Sequence, residues 1–87
     1  MNRSDLENAL KDNTITYSSV KSTILSNIMQ YVDVELKIEK YSLDYYYEID
    51  VQSLLNSKMP INDLDDLKEE GWSFNENKEK IILFLKV

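Results

Sequence analysis

Apolar and polar residues alternate almost without a break through residues 32–51, VDVELKIEKYSLDYYYEIDV. Val32, Val34, Leu36 and Ile38 face one way, and Asp33, Glu35, Lys37 and Glu39 the other. After a short gap, Leu43, Tyr45, Tyr47, Ile49 and Val51 oppose Asp44, Tyr46, Glu48 and Asp50. Period-2 alternation marks half-buried strands, and two such runs close together predict an antiparallel hairpin. The gap near Lys40–Leu43 lacks glycine, so a loop of about four or five residues is expected rather than a tight type I′ turn. If Lys40 pairs with Leu43, Glu35 lies opposite Glu48 and Asp33 opposite Asp50. A register shifted by two residues pairs Lys37 with Glu48 and Glu35 with Asp50 instead.

Helical spacing flanks this hairpin. Ser4-Asp5-Leu6-Glu7 fits a capping box, which predicts a short helix to about Lys11 with Leu6, Ala9 and Leu10 as its stripe. Thr14–Tyr17 leans towards strand. Ser18 or Ser19 can cap a second helix to about Gln30, with Val20, Ile24 and Ile28 on one stripe and Leu25, Met29 and Val32 beside it. A rival reading makes residues 14–25 partly strand, because Thr, Val and Ile are common there.

Beyond the hairpin, Leu54 and Leu55 are expected to be buried in a short turn or helix. Pro60 introduces a helix over about residues 61–70, with Ile61, Leu64 and Leu67 inward, and Gly71 ends it. The tail GWSFNENKEKIILFLKV predicts a second hairpin: Trp72 and Phe74, a turn at Asn75-Glu76-Asn77-Lys78, and a last strand over Lys80–Lys86. Its residues 81–85 are apolar on both faces, which places that strand inside the sheet next to the first hairpin. Trp72, Tyr45 and Tyr47 are expected in the core. The fold class is α+β, in the order helix-helix-β-hairpin-helix-β-hairpin. One domain spans residues 1–87, with a four-stranded, mostly antiparallel sheet and helices packed on it.

Composition then removes most chemistry. The 87 residues include no histidine, no cysteine and a single glycine, Gly71. The common general base, the thiol nucleophile, nearly every zinc site and phosphate-cradling loops are therefore missing. A chain this short seldom spares the pocket that carboxylate catalysis needs. It is not expected to be an enzyme, and no metal or cofactor is predicted; the acidic run at 63–70 lacks the EF-hand pattern. A net charge of −6 argues against direct nucleic-acid binding and against an anionic membrane surface. The N-terminus has no apolar signal-peptide segment, and no stretch approaches the roughly 18–20 apolar residues of a membrane span. A cytoplasmic location is expected.

The charge is polarised along the chain. Residues 33–70 hold eleven acids against four lysines, a local charge of −7, so the rest is nearly neutral. Candidate partner-binding residues are Asp33, Glu35, Glu39, Asp44, Glu48 and Asp50 on the hairpin, with Tyr46 as an aromatic anchor among them. Asp63, Asp65, Asp66, Glu69 and Glu70 form a second group on the helix after Pro60. A solvated strand or helix face can carry such charge for solubility alone, yet single-sign clustering is unusual for that purpose. Carboxylates at alternate strand positions stand about 6.6–6.8 Å apart. That row is comparable with phosphates along a nucleic-acid strand, so it suits a lysine- and arginine-lined groove.

In size, charge and α+β make-up, and in the acidic runs Asp33/Glu35/Glu39, Asp44/Glu48/Asp50 and Asp63/Asp65/Asp66/Glu69/Glu70, the chain resembles a class of phage inhibitors. These are the small, acidic, cysteine-free proteins of phages of low-GC Gram-positive bacteria, best known from the anti-CRISPR proteins that block Cas9. The resemblance implies a non-enzymatic inhibitor whose carboxylates stand in for phosphates in the groove of a basic nucleic-acid-binding protein, for instance a Cas nuclease. An immunity protein or antitoxin against a cationic nuclease, and a self-associating structural module, are alternatives. Either a monomer or a homodimer is compatible with these readings.

Overall fold

A computed structural model describes residues 1–14, 17–18 and 22–85. Among these residues, four helices cover one face of a sheet: α1 (Arg3–Leu10), α2 (Ser22–Met29), α3 (Val51–Asn56) and α4 (Leu64–Glu70), the last preceded by a 3-10 turn over Ile61–Asp63. The strands are β1 (Tyr17–Ser18), β2 (Glu35–Ile38), β3 (Tyr45–Asp50), β4 (Ser73–Phe74) and β5 (Lys80–Leu85). The α+β class and the two hairpins are as expected. No helix among the described residues is long and apolar enough to cross a membrane.

The sheet runs β1-β5-β3-β2, and β4 also pairs with β5. The strand that is apolar on both faces, β5, is indeed internal. It lies antiparallel to β3 along Lys80–Phe84, and its other side is shared by β4 at Ile81–Ile82 and by β1 at Phe84–Leu85. β1 adds a fifth strand, parallel to β5, to the expected four. It lies inside the stretch where strand and helix competed, and each is present in part: strand at Tyr17–Ser18, helix from Ser22. Val20, the rest of that stretch at 15, 16, 19 and 21, and the expected strand end at Lys86 lie outside the described residues.

Ile49 of β3 and Ile81 and Leu83 of β5 point into the helical layer, where they meet Leu6, Leu10, Ile28, Leu54, Leu64, Leu67 and Trp72. Tyr45, expected in the core, is exposed, and three details of helix caps and boundaries also depart from expectation. The cap of α1 is Asn2, not Ser4: Asn2 Oδ1 accepts from Asp5 N at 2.9 Å, and Asp5 Oδ2 accepts from Asn2 N at 3.1 Å. Both pairs have capping-box spacing, and starting at Asn2 brings Leu6 and Leu10, one turn apart, onto the core. Val51 opens α3 instead of ending β3, because the Asp50 carboxylate caps that helix through Ser53 N at 2.9 Å. The helix after Pro60 begins as a 3-10 turn and becomes α-helical only at Leu64, so Ile61, expected inward with Leu64 and Leu67, is exposed instead.

Helix α4 ends as Gly71 requires. Gly71 is left-handed (φ 98°), Trp72 N donates to Leu67 O at 3.2 Å and Gly71 N to Lys68 O at 3.1 Å, the paired bonds of a Schellman motif. This closure drops Trp72 into the core. Asn13, just beyond α1, donates its side-chain amide to Trp72 O at 2.7 Å and Lys68 O at 3.2 Å, tying the two helix ends together. The strand turns need left-handed residues too, and Leu43 (φ 60°) and Lys78 (φ 59°) take them without glycine.

Candidate functional site: the acidic sheet face

The helices occupy one face of the sheet, so the residues that alternate with the core define the other. On β3 these are Tyr46, Glu48 and Asp50; on β2, Glu35 and Lys37; on β5, Lys80, Ile82 and Phe84. The hairpin register is the first of the two expected: Glu35 faces Glu48 and Lys37 faces Tyr46. The like-charged pair is tolerated because Lys37 lies diagonally between them, its Nζ 2.9 Å from Glu48 and 3.5 Å from Glu35. The hydrogen bond with Glu48, above all, raises the Lys37 pKa from its ordinary value.

Asp50 has a structural duty besides its charge. Its carboxylate accepts from Lys80 Nζ at 2.9 Å and from Ser53 N and Oγ, and these bonds, led by that of Lys80, hold its pKa down from 3.8 to about 2. Because folding depresses this pKa, the stabilisation is complete above about pH 4 and is lost as pH falls towards 2. Asp50→Ala should cost about 1 kcal/mol at neutral pH, and Asp50→Asn less, since its amide oxygen still caps α3. The stability gap between the parent and Asp50→Ala should narrow from pH 4 to pH 2 in thermal melts; an unchanged gap would remove Asp50 from this role.

Glu39 shapes the hairpin loop. Its Oε2 accepts from Tyr41 N at 2.7 Å, Ser42 N at 2.6 Å and Ser42 Oγ at 3.0 Å, and the bond from the Ser42 backbone is the main cause of its lowered pKa. The loop is four residues, Lys40–Leu43, closed by Glu39 N donating to Asp44 O at 2.8 Å. Asp33 and Glu35 are exposed, while Asp44 and Glu48 are half-buried.

Two clefts lie on this face. One, about 140 Å³, is lined by Asp33, Glu35, Glu48, Asp50, Ser53 and Lys80. The other, about 530 Å³, has Tyr46, Ile82 and Phe84 as its apolar lining, with Glu39, Glu48 and the turn residues Asn75, Glu76 and Asn77 around them. Tyr46 is half-buried rather than isolated among charges, its ring 5.2 Å from that of Phe84 and tilted by 35°. Glu76 was not singled out by sequence, because only the folding of the β4–β5 turn places it beside the first hairpin.

The second acidic group does not join this face. α4 packs through Leu64 and Leu67 into the core on the helical side, so exposed Asp65 and Glu69 belong to the opposite layer. Asp63 is half-buried and accepts from the Asn27 side chain at 3.1 Å, and Asp66 is also half-buried. Glu70 is withdrawn from the surface: it is 5% exposed, and its Oε1 accepts from Trp72 Nε1 at 2.8 Å. Its place three residues after Leu67, on the inward stripe, is the signal that marks it as internal. Among the described residues, no three acids converge as metal ligands would. No known protein family, curated protein or solved structure matches the chain.

Proposed function

We propose that the protein is a non-enzymatic inhibitor that seats its free sheet face in the basic groove of a nucleic-acid-binding protein, such as a CRISPR effector nuclease in the host cytoplasm. The observation that carries this reading is the composition of that face. Asp33, Glu35, Glu39, Asp44, Glu48 and Asp50 share the sheet face with Lys37 and Lys80, and all of these carboxylates except that of Asp44 line clefts instead of a flat surface. An arginine or lysine from a partner can lay its alkyl stem on Ile82 and Phe84, its cation reaching Glu39, Glu48 or Glu76. Tyr46 offers that cation a ring face. The binding surface is therefore the sheet face alone, with α4 excluded.

Such binding should be fast and strongly weakened by salt. Two double reversals test the face against mere net charge. Asp33→Lys with Glu76→Lys changes the sheet face, and Asp65→Lys with Glu69→Lys makes the same change in net charge on α4. The first should weaken capture of a basic nuclease about tenfold or more, and the second much less. Duplex DNA should displace the captured nuclease. Equal losses in the two variants, salt-insensitive binding, or simultaneous binding of DNA in the groove would each overturn the proposal.

A further inference from the structure

The strand β2 is an edge, and its composition is unusual for one. Among the described residues it pairs only with β3, and all four of its residues are exposed. Leu36 and Ile38, on the core-side face, remain 56% and 53% exposed, because the helical layer stops short of this end of the hairpin. Free edges are normally blunted by proline, a bulge or several charges. β2 has no proline or glycine, and its two charged residues, Glu35 and Lys37, are of opposite sign.

The backbone phase shows what this edge offers. Glu39 N donates to Asp44 O, so residues 35, 37 and 39 direct their backbone groups to β3. Those of Val34, Leu36 and Ile38 therefore point outward. From the self-complementarity of Val34-Glu35-Leu36-Lys37-Ile38 we infer that β2 pairs antiparallel with β2 of a second copy, about a two-fold axis at Leu36. In that register Leu36 meets Leu36, Val34 meets Ile38, and Glu35 meets Lys37 twice. The outward N–H and C=O groups fall opposite one another as hydrogen-bonded pairs, and the Glu35–Lys37 contacts fall at the closer, non-hydrogen-bonded positions. Moving the axis to Glu35 or Lys37 puts like charges on the axis itself. Asp33 and Glu39 approach each other at the ends of the ladder, but the Glu39 carboxylate is turned into its own loop by Tyr41 and Ser42. The contact is isologous, so it closes as a dimer with one continuous sheet. It does not depend on what the acidic face binds.

Sedimentation velocity of the purified chain over a concentration series tests this. A concentration-dependent dimer is expected. Leu36→Pro removes one outward donor and leaves the β2–β3 ladder intact, so it should weaken the dimer about tenfold or more while far-UV circular dichroism is unchanged. Glu35→Lys and Lys37→Glu each set like charges across the axis and should be monomeric alone. Mixed in equal amounts, they restore two opposite pairs and should form a mixed dimer. A parent protein that stays monomeric up to about 1 mM, the weak end of specific affinity, overturns the inference. So does a dimer that survives Leu36→Pro, or a mixture of the two charge variants that fails to associate.

Discussion

Replacing Trp72 with alanine should cost about 3–5 kcal/mol, the usual loss when a fully buried large aromatic is truncated. A domain of this length has roughly 4–13 kcal/mol of total stability, at about 0.05–0.15 kcal/mol per residue. The variant should therefore lose roughly a quarter or more of its stability, and at the low end of that range it should be unfolded outright. Trp72 has no exposed surface and belongs to the cluster that joins α1, α3 and α4 to the sheet. Its backbone carries the Schellman bond to Leu67, and its carbonyl accepts from Asn13. Truncation therefore empties the place where two helix ends and the start of the second hairpin converge. Urea unfolding followed by far-UV circular dichroism measures the loss. Trp72 is the only tryptophan, so its fluorescence reports unfolding of the parent protein without labelling. A midpoint within error of the parent would mean that Trp72 is not the centre of this core.

How much of this was readable beforehand depends on the range of the interaction concerned. Alternation through residues 32–51 specifies a hairpin and its two faces, because side chains on a strand alternate strictly. The apolar run at 81–85 specifies an internal strand for the same reason. Register was open between two choices, and the choice observed is the one with Glu35 opposite Glu48. Lys37 makes that pairing acceptable by bridging diagonally, which a comparison of directly opposed residues does not reveal. Alternation also cannot say how far a helical layer extends. Val34 and Tyr47 do pack against the core, whereas Leu36, Ile38 and Tyr45 on the same face are left exposed. The two-residue strand β1 is too short to have a period at all.

The candidate site was legible in its residues but not in its extent. The hairpin acids converge because their spacing is local to one pair of strands. The two acidic groups, by contrast, were joined by charge and closeness in sequence. They separate in space because Leu64 and Leu67 bind α4 to the opposite side of the sheet. Two hairpin carboxylates also do structural work, Asp50 as a helix cap and Glu39 as the organiser of its loop. Charge on this face thus serves folding as well as the proposed partner recognition, and variants that separate the two must spare both residues.

Glu70 gives the sharpest separation of an apparent surface acid from a structural one. Removing its carboxylate with Glu70→Ala leaves the buried indole N–H of Trp72 without its acceptor at 2.8 Å, and an unsatisfied buried donor costs about 1–3 kcal/mol. Glu70→Lys should be worse, because it sets an ammonium against the same donor in a site that is 5% exposed. Glu70→Gln keeps an oxygen for the indole at nearly the same size, so its cost should stay below about 1 kcal/mol. The order of urea midpoints should therefore be parent and Glu70→Gln first, Glu70→Ala next and Glu70→Lys last. If Glu70 instead stood on a binding surface, Lys and Gln would alter partner capture and leave the midpoints together. A double-mutant cycle with Trp72→Phe, which removes the indole donor, makes the test specific. The penalty of Glu70→Ala should shrink in the Trp72→Phe background, since no N–H is left to orphan. An equal penalty in both backgrounds would show that Glu70 does not act through Trp72.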